Sequence, residues 1–177
     1  MPKLIKRDRV IDDAWVIVAT GTGIDELPQR QPIIVPLGLW RAERGTLRAR
    51  GDVGVWLCPT DEPALVCDDV AGLPVIAVEF PKFGDGRGFS MARILRERYG
   101  FTGELRAFGD VFRDQLFFMR ECGFDAFAVR GDLDPDREIV GLSVFDRVYA
   151  ASTRTPQPWF RERAIAAQRH PGGRSTP

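Results

Sequence analysis

The sequence predicts an α/β protein built on a parallel β-sheet of about five strand–helix units, curled into a partial TIM-like barrel. Short apolar runs alternate with helical patterns, and successive runs start roughly 20 to 30 residues apart, which is the spacing of strand–helix units. Three of the predicted strands also have one apolar face and one mixed face with a charge near the C-terminal end, which suits the interior of a barrel. The alternative is a three-layer doubly wound sandwich, which favours strands that are apolar on both faces.

The apolar runs predict five strands, and amphipathic patterns predict five helices between and after them. The strands cover residues 33–35, 53–58, 75–80, 104–108 and 126–129. The helices cover residues 39–49, 62–71, 90–99, 111–122 and 137–150. Ser90 and Asp110 are suitable N-cap residues for the third and fourth helices, because their side-chain oxygens can accept hydrogen bonds from first-turn amides.

Alternation along the third strand assigns its side chains to two faces of the sheet. One face has Ile76, Val78 and Phe80, and the other has Val75, Ala77 and Glu79. In the helix that follows, we assign Arg93, Arg96 and Arg98 to an exposed face.

Residues 1–150 are predicted to form a single α/β domain, and residues 151–177 a C-terminal extension with a short helix at 159–168 and a loose tail. The apolar stretch 14–20 predicts an extra N-terminal strand. A partial barrel leaves an exposed sheet edge, which either this strand around Trp15 or a homodimer contact can cover.

The composition argues against several functional classes. Lys plus Arg and Asp plus Glu both total 25, so the net charge is zero and no overall field attracts nucleic acid or an anionic membrane. No apolar run approaches the roughly 20 residues that span a bilayer, and the first residues lack the apolar stretch of a signal peptide. Three scattered cysteines and one histidine do not form a metal-ligand pattern. We therefore expect a soluble, cytoplasmic protein without a metal or a redox cofactor.

The stretch PKFGDGRGFS places a glycine-rich loop between the third strand and its helix, and this is the strongest candidate for a binding site. Gly84, Gly86 and Gly88 let backbone amides approach a ligand closely, and a helix N-terminus adds partial positive charge. Lys82 and Arg87 add full charges, so the loop predicts an anion site. The competing interpretation is a plain tight turn with solvated basic side chains.

Further charged residues follow the neighbouring strands. Glu79, Arg106 and Arg113 are expected near the same sheet edge, where Arg106 and Arg113 add to the positive lining. Glu79, Asp85 and Asp110 are the candidate acids or bases. The structural alternatives are that Asp110 only caps a helix and that Glu79 and Arg106 only form an ion pair.

The sequence block 79–127 resembles an uncharacterised bacterial family, a domain of unknown function. The motifs that carry the resemblance are DGRG with its following serine, GELRA, GDV-x-x-DQ and GFD, and the resemblance extends over about residues 33–150. Members of this family are commonly labelled oxidoreductases involved in sulfite reduction, because their genes tend to lie beside the gene of the sulfite reductase haemoprotein. The family has no catalytic residues that can be transferred to this chain.

The resemblance implies that the protein assists sulfite reductase and does not itself reduce sulfite. Sulfite reduction needs a sirohaem and an iron–sulfur cluster held by clustered thiolates, and three dispersed cysteines do not supply them. We expect an accessory protein that binds the reductase or a small anion such as sulfite, sulfate or phosphate. The alternative is a small enzyme acting on a phosphorylated or carboxylated metabolite, and the sequence leaves open which of the two is correct.

Overall fold

The computed structural model describes residues 2–145 and 151–154. Within these residues, eight strands form one mixed sheet that curls into a half-barrel. The order across the sheet is β2-β1-β8-β7-β6-β5-β4-β3. The strands are β1 (Lys3–Lys6), β2 (Arg9–Asp12), β3 (Val16–Ile17), β4 (Ile33–Pro36), β5 (Val53–Leu57), β6 (Val75–Phe80), β7 (Glu104–Gly109) and β8 (Ala126–Phe127).

The strands β3 to β8 are parallel and lie side by side in chain order. A doubly wound sheet would reverse this order at a switch point, so the three-layer alternative is wrong. The prediction of five parallel units is also wrong in detail: the parallel part has six strands, and β1 is antiparallel to both β2 and β8.

The two edge strands, β2 and β3, are consecutive in the chain and have only three residues between them. Four residue steps span at most about 14 Å. In a flat sheet, seven interstrand spacings would separate the edges by about 34 Å, so the short link requires a strongly curled sheet. The predicted strand around Trp15 is confirmed as the edge strand β3, although it is only two residues long.

Helices cover the outer face of the sheet, and a small apolar cluster lies on the inner face. Ile76, Val78 and Phe80 are fully buried in the large outer core. Val75 and Ala77 belong to the inner cluster, against which Trp15 packs. The face assignment from the sequence is therefore confirmed for β6.

The helices are shorter than the sequence pattern predicts. They are α1 (Leu37–Ala42), α2 (Arg44–Arg50), α3 (Arg87–Arg93), α4 (Arg113–Glu121) and α5 (Pro135–Glu138). The π-helix Ile94–Arg98 continues α3, and 3-10 helices cover Ile24–Glu26, Pro63–Val66 and Ile139–Ser143. No helix in the described ranges is long and apolar enough to cross a membrane.

Three helix predictions need correction. The predicted helix 39–49 is broken at Glu43, whose φ of −116° and ψ of 27° are not helical. The predicted helix 62–71 is reduced to the 3-10 helix Pro63–Val66. The predicted helix 137–150 is α5 and a 3-10 helix as far as Ser143, and residues 146–150 and the predicted helix 159–168 lie outside the described residues.

Candidate functional site

The glycine loop that follows β6 is fastened to the loop that follows β7. The backbone N–H of Asp110 donates to the carbonyl oxygen of Phe80 over 2.7 Å. The Gln115 side chain donates to the carbonyl oxygen of Phe83 over 3.0 Å, and the rings of Phe83 and Phe112 meet edge to face with centroids 5.4 Å apart. The two loops therefore meet at the C-terminal edge of the parallel strands, as the sequence predicts.

Arg87 and Asp85 form a two-pronged ion pair on the glycine loop. The Arg87 Nε and Nη2 atoms donate to the two Asp85 oxygens over 3.0 and 2.7 Å, and the Arg87 backbone N–H donates to Oδ1 over 3.2 Å. Hydrogen bonds from Arg87, with smaller help from the charge of Lys82, lower the pKa of Asp85 to about 2. A carboxylate held in this way is a weak base near neutral pH. Asp85 is therefore better suited to orienting the Arg87 side chain than to transferring a proton.

The positive side of the loop has unused hydrogen-bonding capacity. Lys82 is exposed, and 57% of the Arg87 side chain is exposed. Among the residues that the structure describes, neither the side chain of Lys82 nor the Nη1 group of Arg87 has a hydrogen-bond or ion-pair partner, and the amides of Gly84 and Gly86 donate to no other residue. Lys82, Asp85 and Arg87 together carry one net positive charge.

The three loop glycines differ in whether a side chain would fit at their positions. A Cβ atom at Gly88 would lie 2.6 Å from the ring of Phe80, so this glycine allows α3 to pack closely on β6. A Cβ atom at Gly84 or Gly86 would meet nothing within 4 Å, and neither residue has a positive φ. Packing therefore explains Gly88 but not Gly84 or Gly86, which leave open space above the loop backbone.

Glu79 lies at the same edge of the sheet, on its inner face. It is half-buried beside Phe108, its neighbour on β7. Burial raises the pKa of Glu79, and the negative charge of Asp61 raises it further. Asp61 is held in place because its side chain accepts the backbone N–H of Cys58 over 2.8 Å. A carboxyl group with a raised pKa can exchange a proton near neutral pH more readily than an ordinary one.

Asp110 is half-buried near the charge of Arg130, whose guanidinium lies over the ring of Phe112 at 4.4 Å from the centroid. The prediction that Asp110 caps α4 is wrong: the N-cap is Phe112, whose backbone N–H donates to the Gln115 side chain over 3.1 Å. The prediction that Ser90 caps its helix is also wrong, because the N-cap of α3 is Gly86.

Two predicted anion-binding arginines differ sharply in their exposure. Arg113 is exposed at the first residue of α4. Arg106 is 1% exposed in the middle of β7, where it pairs with Glu104 and Asp13, each over 2.7 Å. The expected location of Arg106 at the sheet edge is therefore wrong, because the buried guanidinium is occupied by two carboxylates inside the half-barrel. The proposed pair between Glu79 and Arg106 is not formed.

Arg96 was assigned to an exposed helix face, and this assignment is wrong. Its side chain is 13% exposed and donates from Nε to the carbonyl oxygen of Gly123 over 2.9 Å and from Nη1 to that of Gly103 over 2.9 Å. It also bonds the carbonyl oxygen of Phe101 and the carboxylate of Asp125. We call these contacts the Arg96 clamp. They fix the segments that lead into β7 and β8. The partners follow Arg96 by 5 to 29 residues, so the helical pattern around Arg96 does not reveal them.

The site offers positive charge, free amides and one carboxyl group with a raised pKa. This arrangement can bind an oxyanion at Lys82 and Arg87, and Glu79 is the candidate for proton transfer. Within residues 2–145 and 151–154, no three His, Cys, Asp or Glu side chains come together as metal ligands.

Comparison with known proteins identifies the family. A search of curated proteins gave no match. The profile of a family described as a bacterial protein of unknown function (DUF934) matches residues 54–160, which is well over half of the chain. The match includes the glycine loop, Glu79 and the Arg96 clamp. The chain is therefore a member of this bacterial family, DUF934.

Proposed function

We propose that this protein is an accessory component of assimilatory sulfite reduction that binds a small oxyanion at the glycine loop. The observation that carries the proposal is that Lys82, the free Nη1 group of Arg87 and the open amides of Gly84 and Gly86 belong to one loop. Sulfite, sulfate and phosphate have oxygens that accept hydrogen bonds of this kind. The resemblance to proteins encoded beside sulfite reductase supports the choice of a sulfur oxyanion and of the reductase haemoprotein as partner.

Ligand-dependent thermal stability tests the binding part of the proposal. A ligand present at about a hundred times its Kd stabilises the folded state by about 2.7 kcal/mol. We expect sulfite or sulfate to raise the melting temperature of the intact protein, and Lys82→Gln and Arg87→Gln to reduce this gain. The matched control is Arg48→Gln, which removes a positive charge from an exposed position on α2. An identical gain in all four proteins, or no gain with any of the three anions, contradicts the proposal.

Two further experiments test the connection with sulfur metabolism. We expect the purified protein to retain the sulfite reductase haemoprotein in a pull-down. We also expect a host strain without the gene to grow on cysteine but poorly on sulfate. Normal growth on both sulfur sources would remove an essential role in sulfite reduction, even if an anion binds at the loop.

The raised pKa of Glu79 favours a second candidate function. A carboxyl group that exchanges a proton beside an anion-binding loop suits a small enzyme acting on a phosphorylated or carboxylated metabolite. In this case Glu79 or Asp110 would act as the acid or base, and Lys82 and Arg87 would hold the anionic group.

A panel of such metabolites, followed by mass spectrometry, tests this second function. We expect turnover that Glu79→Gln or Asp110→Asn abolishes while the circular dichroism spectrum is unchanged. Turnover that survives both substitutions would exclude these carboxyl groups as the acid or base.

A further inference from the structure

A separate cleft lined by several arginines lies at the N-terminal ends of the parallel strands, opposite the glycine loop. Its volume is about 950 Å³, within the range of small-molecule sites. The β1–β2 turn forms one wall, and the segment that leads into β8, the end of α4 and the 3-10 helix Ile139–Ser143 form the others. Because β1 is antiparallel to β8, this turn lies beside the start of β8. The cleft is therefore at the N-terminal edge of the parallel strands, away from the glycine loop.

The charge of the cleft is strongly positive in a protein whose net charge is zero. Its charged lining residues are Arg7, Asp8, Arg9, Arg96, Arg120, Asp125 and Arg154. Arg96 is neutralised by Asp125, and the 3.6 Å contact between the exposed side chains of Arg9 and Asp8 is weak.

Two of the remaining arginines have no carboxylate partner among the described residues, and a third has only a long contact with one. Within the described part of the chain, the side chains of Arg7 and Arg154 have no hydrogen-bond or ion-pair partner. For Arg120, the nearest carboxylate oxygen lies 3.5 Å away on Glu121, which already accepts a hydrogen bond from Ser152 over 2.6 Å. These three arginines can therefore bind a negatively charged ligand without breaking a strong ion pair.

Arg120 is the least exposed of these three arginines. Its side chain is 21% exposed and lies over the ring of Phe117, at 4.9 Å from the centroid. Its Nε atom is buried and, within the described ranges, has no hydrogen-bond partner. This Nε atom lies 3.5 Å from the Glu121 carboxylate and is closed off from solvent, so a ligand in the cleft would contact only the exposed part of the Arg120 side chain.

Part of the remaining lining is apolar, and Ser143 and Thr153 add hydroxyl groups. Phe124 and Leu142 are almost completely buried beneath the cleft, and Ile139 and Val140 line its side. An inorganic anion would leave the exposed side chain of Val140 and the half-buried side chain of Ile139 uncovered, whereas a molecule with an apolar or aromatic body would cover them.

We propose that this cleft is a second ligand site, which binds an organic phosphate of nucleotide size with two or three negative charges. Arg7, Arg120 and Arg154 hold the phosphate groups, and the apolar wall contacts the body of the molecule. This site is independent of the oxyanion site at the glycine loop.

Isothermal titration calorimetry with three probes tests the proposal on the intact protein. ADP has both parts of the expected ligand, pyrophosphate has only the charges, and adenosine has only the aromatic body. We expect ADP to bind, pyrophosphate to bind more weakly and adenosine not to bind. Arg7→Gln and Arg120→Gln should each weaken ADP binding by about tenfold, because each removes a charge-assisted hydrogen bond.

Control variants separate this site from general charge effects and from the glycine loop. Arg48→Gln should leave ADP binding unchanged, and Lys82→Gln, in which the glycine loop is impaired, should still bind ADP at the cleft. Arg7 lies in an exposed turn, so loss of binding in Arg7→Gln cannot come from a damaged core even if Arg120→Gln fails to fold. The proposal is overturned if neither ADP nor pyrophosphate binds, if pyrophosphate binds as tightly as ADP, or if Arg7→Gln binds ADP like the unaltered protein.

Discussion

Arg87 and Arg96 lie near opposite ends of one helical segment, α3 and its π-helical continuation, and their surroundings differ in kind. Arg96 is 13% exposed and is bonded to three carbonyl oxygens and one carboxylate. The Arg87 side chain is 57% exposed and, within the described residues, is bonded only to Asp85, two residues before it. The helix thus places a structural arginine at one edge of the sheet and an available arginine at the other.

The comparison separates structural residues from functional candidates within the block that matches the family. Packing or hydrogen bonding explains why the fold needs Gly88, Gly109, Gln115 and the Arg96 clamp. In the described structure, no hydrogen bond or ion pair of the side chain explains why position 82 is a lysine. A residue that folding does not require is a better candidate for binding than one whose contacts already explain it.

The largest expected effect is on stability, in Arg96→Met. The substitution removes the charge but keeps much of the volume, which leaves Asp125 and three carbonyl oxygens without their donor. Breaking a partly buried ion pair and leaving three carbonyl oxygens unpaired should together lower the free energy of unfolding by about 3–5 kcal/mol. Chemical denaturation of the variant and the unaltered protein measures the difference.

Arg87→Met is the matched control on the same helical segment. Because more than half of the Arg87 side chain is exposed, the loss should be below about 1 kcal/mol. Equal losses at the two positions would show that Arg87 is also structural and would weaken the case for an anion site.

A second prediction compares two glycines of the neighbouring loops. Gly109 has a φ of 96°, and a Cβ atom there would lie 2.5 Å from the carbonyl oxygen of Phe80. Gly109→Ala should therefore destabilise the protein by about 2–4 kcal/mol, from backbone strain and steric overlap.

Gly84→Ala is its control, because a Cβ atom at Gly84 has nothing within 4 Å. The cost should stay within about 0.5 kcal/mol. The thermal denaturation curves of both variants provide the measurement. A large loss at Gly84 would mean that the loop conformation itself depends on this glycine.

The parts of the fold that depend on local patterns were predictable from the sequence. The alternation in residues 75–80 identified both the strand and its buried face, and the run after it identified a helix. The antiparallel pair β1 and β2 was missed because each strand has four residues and their position depends on pairing with β8, more than a hundred residues later.

Long-range contacts also explain the errors at the candidate site. Arg106 was expected at the edge of the sheet, but it pairs with Asp13, 93 residues away. Arg96 was taken as exposed, but its partners come from two later segments. The positions of Lys82, Gly84 and Arg87 were predictable because they depend only on where β6 ends.

The third prediction concerns the pKa of Asp85. In the unaltered protein, hydrogen bonds from Arg87 hold this pKa at about 2. Arg87→Gln should raise it towards the ordinary value of 3.8, because the charged donor is lost. A titration of the side-chain carboxyl carbons by NMR measures both values. If the pKa in Arg87→Gln stays near 2, the ion pair does not determine the ionisation of Asp85.

The smallest expected effect is the pH dependence that Glu79 contributes to stability. Burial first, and the charge of Asp61 second, raise its pKa in the folded protein. The folded state therefore holds this proton more tightly than the unfolded state, and ionisation of Glu79 lowers stability as pH rises above its ordinary value near 4.5. Glu79→Gln removes this penalty, so the variant should gain melting temperature relative to the unaltered protein at pH 7 but not at pH 3.

Asp61→Asn keeps the acceptor for the Cys58 amide but removes the charge, and it should lower the pKa of Glu79 only in part, because burial is the larger cause. A complete return to the ordinary pKa in Asp61→Asn would make Asp61, rather than the half-buried position beside Phe108, the reason that Glu79 is suited to proton transfer.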